Sequence, residues 1–187
     1  MKTPVRSTRT LLLPGWQNSD DDHWQSRWER RFGFERLEQD DWLWPRRGDW
    51  MARLEETVRE SERPLRLVAH SLGCHLVAAW AAHSLLTARV HGALLVAPPD
   101  LTREDLPPHL HNWRAALPGR APTGLPFRAI VAASSNDPYG AIERSGELAT
   151  AWGAELVVCG PLGHLNSASG LGEWPEGLAM LEQLGER

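Results

Sequence analysis

The sequence predicts an α/β fold: a three-layer α/β/α sandwich built on a mainly parallel sheet of about six strands. Two observations predict it. Short apolar runs alternate with amphipathic stretches along nearly the whole chain. Most of those runs are continuously apolar, as strands covered on both faces are, and helices between such strands make the connections parallel. A third observation sets the scale: 187 residues without repeat, low-complexity tail or convincing linker fit a single domain over residues 1–187. A chain of that size buries roughly two-thirds of its unfolded surface.

Thr10–Leu13 reads as the first strand, stopped by Pro14-Gly15. From about His23 to Phe32, Trp24, Trp28 and Phe32 recur every four residues and define one helical face. Asp20 to Asp22 precede it and suit a helix N-terminus, where they oppose the dipole. As metal ligands they are poor, because consecutive carboxylates point in different directions. A weak strand at Glu35–Gln39 leads to a helix carrying Trp50, Leu54 and Val58 on one face. Leu65–Ala69 is the next strand, Leu72–Leu86 the next helix and Gly92–Val96 another strand. Phe127–Ala133 and Glu155–Cys159 complete the strands, with helices at Ile142–Trp152 and near Pro175–Leu184. The exception is the segment 101–126, whose five prolines and lack of periodicity mark a long connection or minimal lid. A short helix around Leu110–Leu117 is the plainer expectation there.

Composition narrows the function classes. A net charge of −4 without a basic stripe gives no nucleic-acid footprint. The longest apolar helical stretch contains His75, Trp80, His83 and Ser84, so no membrane association is expected. Leu11-Leu12-Leu13 is too brief for a signal-peptide core. Cys74 and Cys159 fall in a helix and a strand, fitting reduced core thiols and a cytoplasmic location, with a disulfide between them left open. No Cys/His spacing resembles a zinc site, and no metal or cofactor is expected. Six of the ten tryptophans lie between Trp16 and Trp50, mostly as apolar bulk and partly as candidate cleft lining.

The chemistry concentrates at Ala69-His70-Ser71-Leu72-Gly73. A strand, a tight turn and a helix follow one another there, with small residues two before and two after the serine. That is the steric requirement of a strained turn that presents a nucleophile. Alone the pattern is weak, but the order of partners strengthens it. Asp137, after the strand in FRAIVAASSNDPYG, and His164, after the strand in ELVVCGPLGHLN, would emerge at the same sheet edge as Ser71. A neutral serine needs a base, which makes His164 the proton acceptor and Asp137 the group that orients it. Asp100 is a reserve acid; His70 reads as a packing or hydrogen-bonding residue and His75 as a core histidine. His109 and His111 could touch substrate. Oxyanion donors are expected from the backbone N–H groups of Leu72 and Trp16, and substrate contacts from Trp16, His23 and Trp113.

The blocks LLLPGWQNSDDDHWQSRWE, GDWMARLEETV, LVAHSLGC, SSNDPYG and GPLGHLNSASGLGEWPEGLAML resemble the retinoblastoma-binding protein 9 family of small serine hydrolases. The resemblance spans nearly the whole chain. It implies a compact α/β-hydrolase fold, with Ser71 as nucleophile, Asp137 as acid and His164 as base. Pro14-Gly15 and Ala69-His70-Ser71 replace the His-Gly and Gly-His-Ser of many relatives, which bears on the oxyanion loop. Leu72-Gly73-Cys74-His75-Leu76 lacks the glutamate of a Leu-x-Cys-x-Glu motif, so binding of a retinoblastoma-type pocket protein is not expected. The resulting expectation is a cofactor-free enzyme that cleaves small carboxylic esters, or amides, through an acyl-enzyme. The rival is a binding protein on a hydrolase scaffold. Oligomeric state is left open.

Overall fold

The computed structural model describes residues 8–114 and 124–185. Six strands form one sheet: β1 (Arg9–Leu13), β2 (Glu35–Arg36), β3 (Leu65–His70), β4 (Val90–Val96), β5 (Arg128–Ala133) and β6 (Glu155–Val158). Their order is β2-β1-β3-β4-β5-β6, and every neighbouring pair is parallel. One line of register, Leu13–Ala69–Leu95–Val131–Leu156, crosses five strands and brings their C-terminal ends to a common edge.

Alternation along the strands divides the core in two. Leu11, Leu67, Ala69, Leu95 and Val131 face helices α2 (Arg47–Glu60), α3 (Leu72–Ala81) and α5 (Ile142–Trp152). Leu12, Val68, Leu94, Val96, Ile130 and Ala132 face α1 (Trp24–Phe32) and α6 (Pro175–Gln183). Central strands therefore carry apolar residues at consecutive positions, which explains their unbroken hydrophobic runs. Trp24 and Trp28 of α1 pack with Trp174 on the second face; Trp50, Trp80, Trp113 and Trp152 fill the first.

Several boundaries differ from the sequence expectation. The weak strand at 35–39 pairs only through Glu35 and Arg36, although the Leu37 N–H still reaches the Leu12 carbonyl. The helix expected to run to Leu86 ends at Ala81. There the His83 N–H turns to the Trp80 carbonyl three residues back, the His83 ring bonds the Ala79 carbonyl and the Ser84 hydroxyl donates to Glu55. The α1 N-cap is His23, whose ring Nδ1 accepts the Gln25 N–H, and no acidic residue lies in the first turn. Asp20 instead closes the preceding turn by accepting from the N–H groups of Asp22 and His23.

In the described part of the proline-rich connection, a 3₁₀ turn at Pro108–Leu110 leads into the four-residue α4 (His111–Arg114). The remainder of the expected helix at 110–117 lies outside the described residues. Cys74 is buried and Cys159 half-buried, both as free thiols; burial pushes the pKa of each upward. Among the described residues no helix is long and apolar enough to cross a membrane.

Candidate active site

The chain runs from β1 outward to β2, then returns to β3 on the other side of β1, so the topology reverses between β1 and β3. Crevices at such reversals are where open α/β sheets place ligands. Ser71 sits there, between β3 and α3, with φ 55° and ψ −122°. That backbone conformation costs a non-glycine residue on the order of 1–3 kcal/mol and persists only where the surroundings enforce it. Enforcement comes from close packing. A Cβ on Gly73 would stand 2.3 Å from the Leu13 carbonyl oxygen, and one on Gly15 would stand 2.8 Å from the Ser71 Cβ. The loop after β1 thus presses directly on the turn, and only glycines admit it. The Ser71 N–H donates to the Val96 carbonyl, locking the turn to β4 as well.

His164 arrives from the loop after β6. Its Nε2 lies 2.9 Å from the Ser71 Oγ, and its Nδ1 lies 2.8 and 3.0 Å from the two oxygens of Asp137. Nδ1–H donates to the carboxylate, which leaves Nε2 free to accept from the hydroxyl. The side chains of His164 and Asp137 are only 9% and 3% exposed, so their interaction is little weakened by water. Polar side chains join the two loops that carry them. Ser134 accepts the Leu162 N–H and donates to Asn136, and Asn136 accepts the Gly163 N–H at 2.7 Å. The Tyr139 ring stands edge-on to His164, with centroids 4.6 Å apart.

These groups open into a cleft of about 500 Å³. Trp16, His23, Ser71, Leu72, Tyr139 and His164 are among its walls. Leu101, Leu106, Pro107 and Leu110, from the described part of the proline-rich connection, form an apolar wall; Asn18, Asp20, Asn166 and Ser167 form a polar one. The Leu72 N–H, first in α3, has no acceptor within its helix. Trp16 follows Gly15, whose added Cβ would lie 3.1 Å from the Leu72 nitrogen, so the loop and the helix start run side by side. The Trp16 indole N–H is held by the Leu43 carbonyl.

One residue stands elsewhere than expected. Trp113 is fully buried, with its N–H on the Pro45 carbonyl and its ring against Trp50, so it is core rather than a substrate contact. Asp100 makes its contacts with Thr102 and Arg144 and does not reach His164. His23 does line the cleft, and burial pushes its pKa down to about 4. His75 is also lowered to about 4, first by burial, and bonds the Pro99 carbonyl. Tyr139 and the Ser134–Asn136 pair were not singled out from the sequence. Their signal was present in SSNDPYG, where small hydrogen-bonding side chains follow directly on an apolar strand. Among the described residues no three His, Cys, Asp or Glu side chains converge to hold a metal ion.

A parallel sheet with helices on both faces, a strained serine at its topological reversal and a histidine on that serine define an α/β-hydrolase-type protein. The chain belongs to the Serine hydrolase family, whose model matches residues 10–183. It is similar to a YdeN-like hydrolase from Pectobacterium atrosepticum, at 30% identity and TM-score 0.81, covering 95% of this chain and 90% of that one. The ydeN gene product from B. subtilis matches at 23% identity and TM-score 0.76, covering 95% and 98%. A Bacillus cereus carboxylesterase matches in fold at 17% identity and TM-score 0.61, covering 96% and 89%. A search of the curated proteins finds no match.

Proposed function

We propose that this hydrolase cleaves small carboxylic esters, and amides of similar size, with Ser71 as nucleophile, His164 as base and Asp137 as orienting acid. The observation that carries the reading is the continuous set of hydrogen bonds from Ser71 through His164 to Asp137. As the serine oxygen attacks the carbonyl carbon, its proton passes to His164 Nε2. Asp137 keeps Nδ1–H in place and stabilises the imidazolium. The carbonyl oxygen gains negative charge and is received by the backbone N–H groups of Leu72 and Trp16. Collapse of the tetrahedral intermediate expels the alcohol or amine, which takes the proton from His164 and leaves an acyl-serine. Water then repeats the sequence, with His164 again as base, and releases the acid.

The cleft volume and its mixed apolar and polar walls support a substrate of modest size, with Trp16 and His23 touching it. Within the family, the SSNDPYG and GHLNSASG blocks favour the retinoblastoma-binding protein 9 group. One domain, no cofactor and a reducing, cytoplasmic setting for the two thiols complete the reading. A fluorophosphonate probe should label the protein, and Ser71→Ala should abolish both labelling and turnover of p-nitrophenyl acetate. Folded wild-type protein that neither reacts with the probe nor turns over esters of any acyl length would overturn the proposal. Loss of Ser71 or His164 should reduce turnover by about 10⁴-fold or more.

A further inference from the structure

The loop that carries His164 is tightly turned. Gly160, Gly163 and Leu165 all lie at positive φ, at 84°, 60° and 48°, so the chain turns sharply on both sides of the histidine. A histidine on such a loop meets Ser71 at a constant distance only if its main chain is held. Two ring N–H groups from other elements hold it. His70 Nε2 lies 2.9 Å from the His164 carbonyl oxygen, and Trp24 Nε1 donates to the next carbonyl, that of Leu165, at 2.8 Å.

We propose that His70 is the positioning residue for His164: its Nε2–H grips the His164 main chain while Ser71, its neighbour in sequence, meets the His164 ring. One dipeptide at the end of β3 then contacts the base at both ends, which couples the position of the His164 main chain directly to that of Ser71. The role rests on the reading of His164 as the base. His70 is well suited to it. Its ring is 5% exposed and packed between His23 and His164, with centroids 4.7 and 4.9 Å away, so it has little room to turn. Burial, then the neighbouring His23 and His164, push its pKa well below the ordinary histidine value, so it carries one ring proton. A carbonyl can only accept, which places that proton on Nε2.

The test compares His70→Leu, His70→Asn and His70→Gln in the full chain. The glutamine side-chain nitrogen reaches about as far as Nε2, that of asparagine only as far as Nδ1. With p-nitrophenyl acetate, His70→Leu and His70→Asn should lower kcat by about 10- to 100-fold with KM nearly unchanged, the scale expected when a reacting group is misplaced by about 1 Å. His70→Gln should restore kcat to within a few-fold of wild type. Proton NMR gives a readout independent of turnover: the Nδ1–H resonance of His164, hydrogen-bonded to Asp137, should broaden in His70→Asn and stay sharp in His70→Gln. If His70→Leu fails to fold, the two polar variants decide alone. Equal kcat and equally sharp resonances in Asn and Gln variants would overturn the proposal, as would equal loss in both. Absent turnover in wild type would overturn the proposed ester hydrolysis instead, with the resonances still reporting on His70.

Discussion

The two sides of the cleft are built by different physics. On the Ser71 side, the turn is held by close packing: backbone against backbone at Gly73, Gly15 against the serine Cβ, and buried strands beneath. On the side of His164 and Asp137, the loops are joined by hydrogen bonds from Ser134 and Asn136, in part exposed to solvent. Packing contacts are steep and cannot be adjusted without moving a strand. Hydrogen bonds of loops tolerate small displacements and are individually modest. The Ser71 side should therefore respond to substitution in an all-or-none manner, and the other side in a graded one.

Gly73→Ala is the strongest way to break that contrast. Its Cβ would fall 2.3 Å from the Leu13 carbonyl oxygen, so the first strand or the helix must shift. We expect a destabilisation of about 3 kcal/mol or more, at the upper end of overpacking effects, and no measurable turnover. Urea unfolding and the ester assay together read this; a stable, active Gly73→Ala protein would show that the turn is not held by packing.

Acid provides the second test, because the Ser71 side holds buried histidines. His23 and His75 are held neutral down to about pH 4, chiefly by burial. In the unfolded chain a histidine takes up its proton near pH 6.5. As pH falls from 6.5 toward 4, the unfolded chain gains protons that the folded protein refuses, so stability falls. Each histidine should account for on the order of 3 kcal/mol across that window. Arg144 opposes protonation of His75 and Asp100 favours it. His75→Gln keeps a donor for the Pro99 carbonyl and removes the titration. Urea midpoints at pH 7 and 4.5 should therefore lie closer together in this variant than in wild type.

The smallest effect belongs to the hydrogen-bonded side. Asn136→Ala removes the acceptor of the Gly163 N–H and of the Ser134 hydroxyl. A cost of about 1–2 kcal/mol is expected, with the fold retained. Turnover should fall by about tenfold as His164 loses part of its support. An Asn136→Ala protein as inactive as Gly73→Ala would erase the distinction between the two sides.

What was legible in the sequence follows the same division. The strands, the turn at Ser71 and the order of Asp137 and His164 are local patterns: an apolar run, two small residues, a polar loop after a strand. Alanine at position 69 meets the same steric demand as glycine, together with Gly73, because that demand is itself local. Errors arose where partners distant in the chain decide. Trp113 was expected at the substrate face, but Pro45 and Trp50 capture it in the core. The helix expected through Leu86 stops at Ala81, where the His83 N–H turns to the Trp80 carbonyl and the Ser84 hydroxyl meets Glu55 of another helix. His70 was read only as a packing or hydrogen-bonding residue, since its acceptor lies 94 residues away.

The sequence by itself determined the layered fold, the tight turn at Ser71 and the places of Ser71, Asp137 and His164 after β3, β5 and β6, because hydrophobic period and turn sterics act over a few residues. Only the tertiary structure decided that these side chains meet at hydrogen-bonding distance, which wall of the cleft each loop forms and which ring holds the His164 backbone. Those outcomes depend on the register of five parallel strands and on contacts between residues far apart in the chain, and no local pattern encodes a distance across a sheet.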